Sequence, residues 1–512
     1  MTQAPAPLAL PVLVALTAAQ LALWLLSSGP LAYGYMSDEM YYLDCAERLA
    51  WGYVDHPPFS LFVLAGVRAL LGESLFALHL LPTLAACLNV VLVALLAREL
   101  GGGRIAQGLA AVAVFAAPVY QGLAGFYSMN AFEPALWSGA VLLLARIANG
   151  GDPRLWLALG VVLGVGLLNK LSVLWLGAGL AAGLILTPAR HWLATPWPWA
   201  CGAIAGLIFA PHVVWQVANG WPTLEFMHNA TEQKMVAKTP LDFALAQILV
   251  MGPLAAPLWL AGLGFYFRSE DGRRQRALVW IWIVVIALLI ASGSARSNYS
   301  APAYGVLLAA GAVALERFSR QGWRRALPPA FALGLLVTGL AVLPLATPLL
   351  PPDRLVAYMG AIGVEPPRDQ VGESGPLPIH FGLRFGWEAL VDAVAAARDR
   401  LGPDERRRTA LLAPSFGASG ALHFVGRGRG LPPVISGHNN YFLWGPGEAD
   451  GQVLIAVTSD PGALEAVYES VERIAEVDCE YCEGEIDGWS VFICRGLRIP
   501  FEEFWQRSKH FI

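Results

Sequence analysis

The first 37 residues contain no charged side chain, and the 512-residue chain has few anywhere: 14% are Asp, Glu, Lys or Arg, against 56% hydrophobic. Soluble domains carry about 25% charged residues, so a free-standing soluble fold is excluded and an integral membrane protein is expected. Basic residues are missing ahead of the first apolar run, Leu8 to Ser27. A secretory signal needs a positive leading region and a shorter apolar core, so this run reads as a retained first span. Cysteine is scarce as well. Six in such a length give no disulfide framework. Cys479 and Cys482 form a lone C-x-x-C near Cys494, one pair where a structural zinc site needs more ligands; a local disulfide and idle thiols both stay open. There is no internal repeat, no low-complexity segment and no basic patch of the kind that binds nucleic acid.

What the chain does have is a succession of apolar segments, at 8–28, 75–97, 105–121, 132–148, 155–169, 171–187, 199–217, 243–267, 277–292, 301–316 and 327–347. These make eleven expected crossings. The stretch 58–72, with Arg68 inside it, reads as an interfacial helix. Charge tests the layout. With a cytoplasmic N-terminus, thirteen arginines fall in inner loops, whereas Arg48, Arg68, Lys170, Lys234, Lys238 and Arg296 fall outside. That asymmetry agrees with the positive-inside rule, and an odd number of crossings leaves the tail outside. Net charge also changes along the chain, from +4 over residues 1–349 to −8 over residues 350–512. Thr409–Pro414, Gln452–Val457 and Gly488–Cys494 have strand character, and Gly462–Val477 reads as a helix. The proline-rich stretch 348–378 reads as a linker. The expected fold is therefore an α-helical polytopic membrane protein (residues 1–349) followed by a small extracytoplasmic α/β domain (residues 350–512).

In this layout the polar residues converge on the outer face. The first outer loop carries Asp38 and Glu39, then Asp55-His56-Pro57-Pro58. The loop before the fourth span carries Asn130 and Glu133, a later turn carries Asn169-Lys170, and Arg296-Ser297-Asn298-Tyr299 lies between the ninth and tenth spans. Each has a plainer reading. Asp38 and Glu39 suit a helix N-terminus, and Asn130 with Glu133 fits a capping pair, the stronger reading there. Asp55-His56-Pro57-Pro58 can be only a turn, Lys170 can reach to the interface, and Arg296 can bind lipid phosphate without catalysis. The shared face is what strengthens the set. A carboxylate can take the proton of an attacking hydroxyl, and Lys and Arg can neutralise a phosphate. The chemistry these groups suit is displacement of a phosphate-linked group from a lipid carrier by an acceptor hydroxyl. No carboxylate spacing demands a metal, although Asp38, Glu39 and Asp55 could hold a divalent ion.

The order of motifs resembles a known family. An acidic pair after span one, Asp55-His56-Pro57-Pro58, Asn169-Lys170 between short spans, and Asn298-Tyr299-Ser300-Ala301-Pro302-Ala303-Tyr304 look like the GT-C membrane glycosyltransferases (glycosyltransferase family 39-like) over residues 30–310. The nearest branch holds the protein O-mannosyltransferases and the lipid A aminoarabinose transferases. The tail segment Gly437–Pro446 is similar to that of a bacterial subgroup. The resemblance implies inverting transfer of a sugar from a polyprenyl-phosphate donor to a lipid, glycan or protein acceptor, outside the bacterial inner membrane. By position, Asp38 is the implied base with Glu39 beside it; Asp55 and His56 line the cavity; Lys170 and Arg296 face the carrier phosphate. Asn130, Glu133, Asn298 and Tyr299 complete the expected substrate-binding set. One departure is Ser128-Met129-Asn130-Ala131-Phe132-Glu133, where many relatives have a Thr-Pro-Asp-like box. The alternative function is a transporter or flippase of a lipid-linked saccharide, disfavoured because such proteins put charge at the bilayer midplane and often show inverted repeats.

Overall fold

The computed structural model describes residues 6–365, 375–482, 486 and 488–512. Among these, six helices are long and apolar enough to cross a membrane: Leu10–Ser27, Leu75–Glu99, Met129–Ala148, Trp197–Ala218, Ser297–Phe318 and Gly322–Leu345. Three further helix pairs pass the same test only together and are sharply bent. Arg104–Ala116 meets Pro118–Ala124 at 63°, Val173–Leu186 meets Pro188–Ala194 at 103°, and Pro240–Met251 meets Ala255–Arg268 at 110°. Each break has a proline, Pro118, Pro188 or Pro253, whose ring and missing N–H stop the helix before it. The third break also has Gly252 at φ 88°. Leu155–Asn169 and Ala277–Ser292 are shorter apolar helices. Length and composition thus admit six spans, or nine when each bent pair counts as one.

The helices pack around one large apolar core, including Trp137, Trp156, Tyr266, Ile281 and Val285, all nearly inaccessible. Glycine permits the closest crossing. A Cβ on Gly262 would stand 2.0 Å from the Leu307 carbonyl oxygen, and one on Gly311 would stand 1.9 Å from that of Leu258. Small residues at such crossings let helix backbones touch, which is how membrane helices gain packing energy without a hydrophobic driving force.

The tail holds a five-stranded sheet in the order β2-β1-β3-β5-β4. Its strands are β1 (Ala410–Leu412), β2 (Val434–Ile435), β3 (Val453–Thr458), β4 (Tyr468–Glu476) and β5 (Ser490–Leu497). β1 runs parallel to β2 and β3, while β5 runs antiparallel to β3 and β4. Side chains alternate across it, as a strand period of two requires. Leu411, Ile455 and Ile493 pack under the helices Trp387–Asp399 and Phe416–Phe424; Ala410, Leu454, Phe492 and Cys494 face Trp505 on the other side.

Two expectations change here. Gly462–Val477, expected to be helical, makes only one helical turn, Gly462–Glu465, before entering β4. Its charged, helix-favouring composition is overridden by pairing with β5, and the same charges suit an exposed edge strand. The stretch 348–378 is not all linker: Pro352–Ile362 is a helix started by Pro352, with Leu355 and Met359 packed on Leu377 and Phe381. Pro366 and Pro367 lie outside the described residues.

The tail docks on the first loop. Helix Phe416–Phe424 crosses helix Ser37–Glu47 where a Cβ on Gly420 would meet the Tyr41 backbone nitrogen at 2.7 Å. Around that contact Arg427 pairs with Glu47 and Glu73, and Arg68 pairs with the same two carboxylates.

Candidate active site

Helix Ser37–Glu47 begins just after Met36, whose N–H is accepted by Glu39 Oε2 at 2.9 Å. Glu39 thus does cap its own helix, but it does much more. Its Oε1 lies 2.7 Å from His79 Nε2 and accepts the Tyr127 N–H at 2.8 Å, and the side chain is fully buried. His79 Nδ1 in turn lies 2.9 Å from Ser28 Oγ. Burial alone would raise the Glu39 pKa; His79, Arg384 and the Tyr127 N–H together hold it below the usual value. Arg384, from the tail, is itself buried and donates to the carbonyls of Gly125 (2.9 Å), His380 (3.1 Å) and Gly34 (3.3 Å).

Asp38 is one residue away and in the opposite condition. It is half-buried, and charges act on it rather than hydrogen bonds. Burial pushes its pKa up, Lys234 and Arg296 oppose the rise, and Asp55 and Glu39 add to it. Asp55 accepts the Tyr41 hydroxyl at 2.8 Å and stands 3.7 Å from His56 Nε2. His56 is 1% exposed in a cage of Tyr41, Tyr42 and Tyr53, with ring centroids 6.0, 4.8 and 5.0 Å away, and its Nε2 has no hydrogen-bond partner. Arg296 Nε and Asn298 Oδ1 are likewise buried without one. Buried polar atoms are rarely left unsatisfied, and these three atoms can each form a hydrogen bond with a polar ligand or water.

The remaining expected residues form a second cluster, closed around Lys170 and Glu133. Lys170 Nζ donates to Asn130 Oδ1 at 2.7 Å and Glu133 Oε2 at 2.9 Å, and lies 4.9 Å from the centre of the Tyr299 ring. Ser172 Oγ donates to the other Glu133 oxygen; beside this pair Asn169 Nδ2 donates to the Met129 carbonyl at 2.8 Å, while its Oδ1 is buried without a hydrogen-bond partner. The capping pair expected of Asn130 and Glu133 is not formed: Ser128 caps helix Met129–Ala148, accepting from the Asn130 N–H, and the buried Glu133 carboxylate is claimed by Lys170 and Ser172. Tyr299 sits three residues after Arg296, so the segment Ser297–Tyr304 joins the two clusters.

Four contributors were not singled out from sequence. His79 and Arg384 support Glu39. Lys234 had been counted only as an outer cation, yet it bears on Asp38. Asn440 comes from the tail: its Oδ1 accepts the Val54 N–H at 3.1 Å, and its Nδ2 donates to Tyr41 Oη and, at 3.4 Å, to Asp55. The tail motif around Gly437–Pro446 was the available signal for the last.

Asp38, Glu39 and Asp55 do not, among the described residues, bring their ligand atoms together within 4.8 Å as a metal site needs. Among the described residues, the ligand atoms of Asp44, Glu47 and His423 do lie within 4.8 Å of one another. There, however, Tyr441 and His423 bond Asp44, while Arg68 and Arg427 hold Glu47. A shallow apolar crevice lined by Phe115, Pro118, Leu336 and Leu343 among others includes none of these polar residues.

The bent helices, the buried charges on the loops and the docked tail define a polytopic membrane protein with a cluster of polar groups where its loops meet its tail. The family described as dolichyl-phosphate-mannose-protein mannosyltransferase matches residues 55–215. The lipid A galacturonosyltransferase RgtD of Rhizobium johnstonii is 27% identical over 331 residues, 62% of this chain and 67% of the relative. In structure the chain is similar to ArnT from Cupriavidus metallidurans bound to undecaprenyl phosphate, with TM-score 0.60, 17% identity and coverage of 94% of this chain and 97% of that one. It is also similar to the Archaeoglobus fulgidus oligosaccharyltransferase tethered to an acceptor peptide, with TM-score 0.51, 15% identity and coverage of 83% and 63%. The chain is an integral membrane protein whose fold and sequence are similar to those of glycosyltransferases of the GT-C type.

Proposed function

We propose that this protein moves a sugar from a polyprenyl-phosphate-linked donor to an acceptor hydroxyl on a lipid A-type glycolipid, on the extracytoplasmic face of a bacterial inner membrane. The observation that carries the reading is the half-buried Asp38 carboxylate, under the opposing charges of Lys234 and Arg296, with Asp55 standing 3.7 Å from the buried His56 Nε2. The acceptor oxygen attacks C1 of the sugar as the C1–O bond to the carrier phosphate breaks. The bonding electrons leave with the phosphate, and the acceptor proton passes to Asp38. One displacement of this kind inverts the anomeric centre.

Each residue has a part in that step. Asp38 is the base, and its raised pKa brings its basicity closer to working pH. Arg296, with a buried Nε lacking a protein partner, meets the charge that grows on the leaving phosphate, helped by Lys234. Asp55, His56 and Asn298 bind sugar or acceptor hydroxyls. Lys170, fixed by Glu133, Asn130 and Tyr299, adds positive charge on the phosphate side. Glu39 acts as a positioning residue that holds Asp38 at the head of its helix. Residues 1–349 would carry the reaction in the membrane, with residues 350–512 as the outer domain above it.

RgtD, named for galacturonosyl transfer to lipid A, and ArnT, solved with undecaprenyl phosphate, support the choice of donor and acceptor classes. The test is radiolabel incorporation from a polyprenyl-phosphate sugar into lipid, glycan and protein fractions of membranes with the wild-type protein or Asp38→Asn. Label in the lipid fraction that depends on Asp38 supports the reading. Label confined to protein refutes the acceptor, and no Asp38-dependent label refutes the reaction.

A further inference from the structure

Asn440 and its neighbours make the tail more than a cover over the loops. Asn440 is 1% exposed and uses both ends of its amide on the first loop: one accepts the Val54 N–H, the other donates to Tyr41 and Asp55. Tyr41 in turn donates to Asp55. Asn440 therefore fixes both the backbone before Asp55 and the hydroxyl that orients its carboxylate.

The residue before it is held in an unusual conformation. Asn439 has φ 48° and ψ −128°, a left-handed backbone that non-glycine residues rarely adopt. Such a geometry persists only where surroundings over-determine it, and here they do. Asn439 Oδ1 accepts the Ile512 N–H at 3.1 Å, and Nδ2 donates to the Ile512 carbonyl at 3.3 Å. The Asn439 N–H donates to the His510 carbonyl at 3.0 Å, and the His510 N–H donates to the Gly437 carbonyl at 2.8 Å. His438 adds a further bond. Its Nδ1 accepts the Phe416 N–H at 3.1 Å, so its Nε2 carries the proton and donates to the Ile512 carbonyl at 2.9 Å. Burial keeps His438 neutral, its pKa pushed down to about 3. The same short segment reaches the loop that carries Lys234: Asn229 donates to the Phe511 carbonyl at 2.8 Å, and Lys509 pairs with Glu225 at 2.7 Å.

We propose that the segment His510–Ile512 clamps the strained turn at Asn439 so that Asn440 is delivered as the positioning residue for Asp55 and Tyr41, making the tail a working part of the transfer site. The role assigned to Asp55 rests on the proposed function; the clamp itself does not.

Two readouts separate these. Hydrogen exchange of the segment 53–56 in the full-length protein reports the Asn440–Val54 bond without any substrate. Exchange there rises in the order wild type, Asn439→Gly, Asn439→Ala, Asn440→Ala, because glycine accepts φ 48° but loses the two side-chain bonds to Ile512. Transfer from a radiolabelled polyprenyl-phosphate sugar falls about tenfold in kcat for Asn439→Ala and for Asn440→Ala, and the double variant is no worse than either, since both act through one residue. Unchanged exchange at 53–56 in Asn439→Gly and Asn439→Ala overturns the clamp, and Asn439→Gly decides it alone if the alanine variant does not fold. A double variant that loses about a hundredfold, the product of two independent effects, overturns the route through Asn440. Absence of transfer by the wild-type protein would remove the functional reading and leave the exchange result to judge the clamp.

Discussion

The cluster at Asp38, Asp55 and His56 and the cluster at Lys170 and Glu133 stand on neighbouring loops and contain the same kinds of residue, yet one is open and the other closed. In the closed cluster Lys170 has Asn130, Glu133 and Tyr299, and Glu133 has Lys170 and Ser172. In the open one His56 Nε2 lacks a hydrogen-bond partner, as does Arg296 Nε on the adjoining segment, and burial and surrounding charges act on Asp38. Saturated polar networks rigidify; unsaturated ones in a native fold wait for a ligand. The adjacent pair Asp38 and Glu39 repeats the contrast within two residues: Glu39 is satisfied and held below its usual pKa, Asp38 is half-satisfied and pushed above it.

Breaking the satisfied side should cost stability first. Glu39→Gln leaves the buried Arg384 without its counter-charge and the Tyr127 N–H with a weaker acceptor, and removing one member of a buried charge pair costs about 3–5 kcal/mol. Denaturation of the purified protein in detergent should show that loss, and an unchanged midpoint would mean Glu39 is not the support described. Lys170→Met should also destabilise, by somewhat less because Lys170 is partly exposed, and Lys170→Met with Glu133→Leu should recover part of the loss. A double variant worse than the single would contradict the closed-pair account.

Effects on the open side should appear in pH dependence. Asp38 must be ionised to act as base, so transfer falls as pH falls through its raised pKa. Lys234→Gln removes a cation that opposes the rise, and the acidic limb of the pH–rate profile should move to higher pH. A limb that stays in place, or moves down, would separate Lys234 from Asp38.

The smallest effect lies at the docking surface between tail and loop. His423 is hydrogen-bonded to the buried Asp44, which holds its pKa above 6.5. A histidine whose pKa is raised by folding stabilises the fold fully below its unfolded pKa and loses that contribution as pH rises through the folded value. Tail docking should therefore weaken from about neutral pH upward, and His423→Gln should flatten that dependence. A wild-type midpoint that does not change with pH in this window would count against the pair.

Much of this was legible in the chain, for a reason specific to membranes. Charges cannot sit at the head of a span without a partner or a task, so Asp38, Asp55, His56, Lys170 and Arg296 announced themselves. The apolar runs were equally plain, because satisfying the backbone in lipid leaves helices as the spanning form for such segments. What sequence could not give was the division between satisfied and unsatisfied groups. Glu39 owes its saturation to His79 on a span and Arg384 in the tail, separated from it by 40 and by more than 300 positions. Asn440 lay in the tail motif Gly437–Pro446 that the sequence singled out, but only the fold brings it to Asp55. The strand Tyr468–Glu476 was missed because its charges favour a helix, and only pairing with β5 decides otherwise.

The central claim is that Asp38 does chemistry while Glu39 does support, and single-turnover transfer from a radiolabelled polyprenyl-phosphate sugar, measured beside thermal stability for both substitutions, tests it most directly. The account predicts that Asp38→Asn slows transfer by about 10²–10⁴, the usual contribution of a general base, with the melting midpoint preserved. It predicts the reverse emphasis for Glu39→Gln: lost stability, and transfer by the folded fraction closer to wild type than that of Asp38→Asn. Full transfer by a stable Asp38→Asn protein would contradict it.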